Sequence, residues 1–115
     1  MASPALLSSD QAGVCPLQLP SQNVSHGIVS QALLSAPGLR VTMFRFTAGQ
    51  EMSEHTSSAR ALVQILAGSG DFDFYGKTHQ LSQGDLLHLP PKLPHAVRAV
   101  EDMTMLLTQI DSPRT

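Results

Sequence analysis

The chain reads as an all-β sandwich or barrel, and three observations carry that reading. Short apolar or alternating runs recur between Ile28 and Ile110 at roughly ten-residue spacing. Turn residues separate them, at Ala36-Pro37-Gly38, Ala48-Gly49, Ala67-Gly68, Gly76-Lys77 and Gly84-Asp85. Glycine supplies the positive φ of a tight turn, and proline cannot donate to a central ladder. No segment keeps a helical apolar period for three turns, and there is no internal repeat.

Residues 1–24 are rich in Ser, Pro, Gln and Ala without a steady period, which predicts a flexible arm ahead of a single barrel domain over 25–115. Ile28 to Leu34 is the first strand, and its β-branched start and Ala-Pro-Gly stop mark it. In Leu39 to Thr47, Val41, Met43 and Arg45 share one face while Thr42, Phe44 and Phe46 share the other. Gln50 to Ala59 is polar and reads as a loop holding His55. Arg60 to Leu66 is a strongly apolar strand. Asp71 to Tyr75 and Thr78 to Leu81 then pair as a hairpin across Gly76-Lys77. Leu86 to Leu89, His95 to Val100 and Thr104 to Ile110 complete the set.

Composition narrows the function classes. At 115 residues and 42% hydrophobic content, the chain builds one core and no second one. No apolar run approaches the ~18 residues of a membrane helix, so no membrane role is expected. The N-terminus has no basic start or long apolar stretch, unlike a secretory signal. The lone Cys15 forms no internal disulfide, which suits the reducing cytoplasm. Seven basic residues are scattered along a chain of net charge -2, leaving no patch for phosphates and no expectation of a nucleic-acid partner. With only 14% charged residues, and apolar strands at both ends of the domain, a homodimer is expected.

Two stretches concentrate the chemistry. Gly84 to His95, GDLLHLPPKLPH, is a turn, a short strand, a proline corner and a histidine that opens the next strand. Upstream, Gly49 to His55 leads into an apolar strand closed by Gly68. Together they resemble the paired motifs of the cupin superfamily. The first of those motifs has a glycine, a His-x-His pair, a glutamate and a closing glycine; Gly49, His55 and Gly68 fall at matching places. The second has a glycine, a Pro-x-Gly turn, a histidine and an asparagine; Gly84, Pro90 and His95 match it. The resemblance covers roughly residues 28–110. It implies a jelly-roll β-barrel with a small molecule in its mouth, and in many members a metal held by three histidines and a glutamate.

The departures are as informative as the matches. Ser57 stands at the second histidine of the first motif, Ala61 at the glutamate, Lys92 at the turn glycine and Ala99 at the asparagine. Of the implied ligands only His55 and His95 remain. Imidazole suits Zn, Cu, Fe and Ni, and a divalent ion of this group or Mn is the cofactor expected if any is bound, but catalytic sites commonly use three protein ligands. His88, the only polar side chain of its strand, is the candidate third ligand; alternation groups it with Leu86, and the face it takes is open. The ordinary alternative is a hydrogen-bonded core or interface histidine. His55, Ser57 and His95 are the expected ligand-binding residues, with Ala61 and Ala99 lining the space beside them. No residue is assigned a catalytic role: Ser57 has no recognisable activating base.

Two functions follow from these residues. One is a barrel that binds a small molecule, with or without a weakly held divalent metal. The other is a metal-dependent cupin enzyme, of dioxygenase, isomerase or decarboxylase type, acting on a small organic acid. The donor count separates them.

Overall fold

A computed structural model describes residues 4–18 and 27–111. Nine strands and no helix are found among these residues: β1 (Ile28–Ala36), β2 (Leu39–Phe46), β3 (Glu51–His55), β4 (Arg60–Ala67), β5 (Ser69–Phe74), β6 (Lys77–Ser82), β7 (Leu86–Leu89), β8 (His95–Ala99) and β9 (Met103–Ile110). They form two antiparallel sheets, a five-stranded one in the order β1-β2-β9-β4-β7 and a four-stranded one in the order β3-β8-β5-β6. This is the two-sheet arrangement of a jelly roll: apart from the neighbour pairs β1–β2 and β5–β6, successive strands cross from one layer to the other.

The core lies between the sheets and follows from alternation. In β4, Ala61, Val63 and Ile65 point inward; in β9, Met103 and Met105 do; in β7, Leu87 and Leu89. Phe46, Phe72, Val97 and Ala99 join them from the facing strands. On β2 it is the Phe44–Phe46 face that meets this cluster, whereas Met43 is buried outside it. At one end of the barrel the packing is tight. Gly70 sits so close to Met103 that an added Cβ would stand 2.7 Å from its sulfur. The other end is open.

The segment 4–18 is tied to the barrel at one place. Leu6 and Leu7 donate their backbone N–H groups to the carbonyls of Ala32 and Leu33, where a bulge interrupts β1. β1 is an outer strand of its sheet, so these bonds occupy part of an otherwise bare ladder. The expected boundary between arm and barrel at residue 24 lies outside the described residues.

Two features of the strands bear on the expected site and assembly. Glu51 to His55 is a strand and not a loop, because its backbone pairs with β8. β9, the last apolar strand in the chain and one of the two on which the expected homodimer rests, is central in its sheet, flanked by β2 and β4.

Candidate functional site

The open end of the barrel gathers the last residue of β3, the first of β8, the second of β4, and the ends of β7 and β9. His55 and His95 are direct cross-strand partners there. Between Met52 and His55 the register shifts: three steps along β3 answer two along β8, from Val97 to His95. That extra residue is a β-bulge, a device that re-aims side chains. By plain alternation Met52 and His55 would face opposite ways. With the bulge both face the cavity.

The two imidazoles lie with ring centroids 4.3 Å apart and planes at 63°, edge to face. Each is fixed from behind. Nδ1 of His55 is 2.8 Å from the carbonyl oxygen of Ser53. Nδ1 of His95 is 2.8 Å from that of Leu93. A carbonyl only accepts, so in both rings Nδ1 carries the proton. The neutral rings therefore leave Nε2 as a lone pair, and neither Nε2 has a recorded partner among the described residues. A histidine oriented through one nitrogen so that the other is free is the arrangement of an acceptor or a metal ligand.

Below the pair is a cavity of about 120 Å³. Its floor and walls are apolar, with Phe44, Met52, Ala61, Val63, Phe72 and Met105 among them. Among the described residues the polar groups lining it are His55, His95, Ser57 and Gln109, and no charged side chain does so. Ser57 comes from the loop after β3, and its Oγ accepts the N–H of Ala59 at 3.1 Å. The loop is also tied across the mouth: the N–H of Lys92, between β7 and β8, donates to the carbonyl of Ser57 at 2.7 Å.

Most of the expected residues meet here, and two do not. His55, Ser57, Ala61 and His95 line one cavity. His88 is on the other side of the sheet. Leu87 and Leu89 take the inner face of β7, so alternation turns His88 outward, where its Nε2 accepts from Nη1 of Arg60 at 2.6 Å. It cannot complete a set with His55 and His95. Ala99 shares the inner face of β8 with His95 but lies deeper, in the closed part of the core, and lines no part of the cavity.

Gln109 was missed by sequence reasoning. It stands beside Ala61 across the β4–β9 pairing and beside Arg40 across β2–β9. Its alternation with Leu107 and Met105 was the available signal, since both of those residues face inward.

The donor set bears on a metal directly. Two imidazole nitrogens with their second nitrogens anchored are suitable ligands as far as they go. Among the described residues, however, no cluster of three His, Cys, Asp or Glu side chains is positioned to hold an ion. Ala61, at the glutamate position of the resemblance, puts a methyl group in the cavity wall. The residues present do not fit a resident catalytic metal.

Comparison with known proteins agrees with this architecture. Residues 41–110 match the family described as the AraC-like ligand binding domain. No curated protein matches the chain. Among solved structures, a conserved protein of unknown function from Streptococcus pyogenes is 28% identical, with a TM-score of 0.78 over 98% of this chain and 99% of that one. A cupin 2 conserved barrel domain protein from Leptotrichia buccalis is 32% identical, with a TM-score of 0.73 over 78% of this chain and 44% of that one. A salicylate 1,2-dioxygenase from Pseudoaminobacter salicylatoxidans shares the fold at 21% identity, with a TM-score of 0.69 over 73% of this chain and 26% of that one. With the two-sheet barrel, the open mouth and a match over more than half its length, the chain belongs to the AraC-like ligand-binding domain family of the cupin superfamily.

Proposed function

We propose that the protein binds a small molecule in the mouth of its barrel, with His55, His95 and Ser57 as polar contacts and no metal-dependent reaction of its own. The observation that carries this is the pairing of two Nδ1-anchored imidazoles over an apolar cavity where the described residues supply no third or fourth metal donor. Concave apolar sites with a few convergent polar groups are where small ligands bind. A divalent ion such as Zn, Ni, Fe, Mn or Cu held by these two nitrogens alone is bound weakly, since even open catalytic zinc sites usually offer three protein ligands.

The metal-dependent enzyme is the competing function, and the two separate cleanly. Protein purified without chelators should carry well under one equivalent of transition metal by elemental analysis. One tightly held equivalent that survives dialysis would favour the enzyme.

The same proposal places the protein in the cytoplasm as a homodimer. The support is the single half-buried Cys15 and the exposed apolar side chains on the outer face of the larger sheet, Leu86 and Ile110.

A further inference from the structure

The cavity's chemistry restricts what enters it. We propose, building on the small-molecule function above, that the ligand is a neutral, single-ring hydroxyl compound of the phenol class, its O–H donated to Nε2 of His55 or His95 and its oxygen accepting from the Gln109 amide.

Size comes first. The cavity measures about 120 Å³. An apolar protein cavity of about 150 Å³ is known to take up benzene. One ring fills the space, and a fused pair does not.

The walls select the body. Phe44 and Phe72 offer ring faces and edges, and Met52 and Met105 offer thioethers. Both kinds of group pack favourably on an aromatic ring. A sugar-like body would instead bury several hydroxyls against Val63 and Leu107, where nothing answers them. Unpaired polar groups are costly to bury.

The mouth selects the head. The carbonyls of Ser53 and Leu93 fix both rings with Nδ1–H inward to the backbone, so the neutral pair presents acceptors. An acceptor needs a donor opposite it. A carboxylate brings no proton, and among the described residues no lysine or arginine lines the cavity to balance its charge. An ammonium group has donors, but no carboxylate of the described residues lines the cavity either. A neutral hydroxyl satisfies both conditions. Gln109 then supplies an amide donor while the imidazoles accept, and the Ser57 hydroxyl, which accepts from the Ala59 N–H, keeps its own proton to donate beside it.

Titration of the wild-type protein followed by the methyl signals of Ala61 and Val63 in NMR tests this, with phenol, toluene, benzoate and glucose as probes. Phenol should bind about fivefold to tenfold tighter than toluene, the contribution of a single hydrogen bond. Benzoate and glucose should bind more weakly than phenol. The variants Gln109→Leu and His95→Phe should each shrink the preference for phenol over toluene, while toluene itself still binds. Equal binding of toluene and phenol overturns the proposed head group. If benzoate or glucose moves these signals more tightly than phenol does, the ligand class is overturned and small-molecule binding at this site stands. If no probe moves them, both fall.

Discussion

His55 and His95 face each other across the β3–β8 ladder, ring centroids 4.3 Å apart, each anchored through Nδ1 to a carbonyl two residues earlier in its own chain segment. The repeated local bond sets both tautomers without help from a carboxylate. Binding groups are thus positioned by backbone alone, which is why the site persists where the remaining donors of the resemblance are replaced.

Replacing both histidines by alanine should abolish what metal binding the protein has, weaken phenol binding about fivefold to tenfold, to the level of toluene, and leave the barrel folded. His55 is exposed and His95 half-buried, and neither belongs to the core cluster. The expected loss of stability is about 1 kcal/mol or less, typical of positions outside the core. Thermal unfolding by circular dichroism checks it. Collapse of the cooperative transition would show that the pair is structural.

Lys92 is held at φ 69°, the left-handed region, at the position where the resemblance has glycine. A non-glycine residue there is strained by about 1–2 kcal/mol, part of which glycine returns through its freer unfolded chain. Lys92→Gly is therefore expected to raise stability by about 0.5–1 kcal/mol in urea unfolding. A loss of stability would mean that the lysine side chain contributes more than its backbone costs.

Gly68 gives the opposite case. Its φ is 77°, and a Cβ there would meet the backbone oxygen of Asp102 at 1.9 Å. Backbone cannot swing aside as a side chain can. Gly68→Ala should cost about 2 kcal/mol or more, the sum of left-handed strain and overpacking. Gly49→Ala, with φ 88° and nothing within 4 Å, should cost only the first of these. Unfolding midpoints of the two variants measured together check the difference, and equal losses would count against it.

Self-association is expected through the outer face of the larger sheet. Leu86 is 63% exposed and Ile110 41%. Sedimentation equilibrium at tens of micromolar should report a dimer, and Leu86→Glu should shift it toward monomer. A monomeric wild-type protein would oppose this.

The strands and the core were legible in the sequence because alternation and turn residues are local signals. That Leu87 and Leu89 share a face opposite to Leu86 and His88 followed from alternation alone. The face of His88 could not be placed, since alternation says that it opposes Leu87 but not which side is inside. That needed the pairing of β7 with β4. The strand β3 was hidden for a related reason: Glu51, Ser53 and Glu54 are exposed, so it has almost no apolar pattern, and pairing with β8 alone defines it. Ala99 was placed on the correct face and at the wrong depth. Alternation gives parity, whereas depth depends on how far the facing sheet extends.

The bulge in β3 has a consequence for how this chain can change over generations. Three steps on β3 already match two on β8, so losing one residue between Met52 and His55 would restore regular pairing without turning His55 away from His95. A deletion of one codon, which elsewhere in a strand inverts every side chain beyond it, would here keep His55 facing His95, at the cost of the Ser53 carbonyl or its spacing to the His55 ring. Inserting one would not preserve that facing.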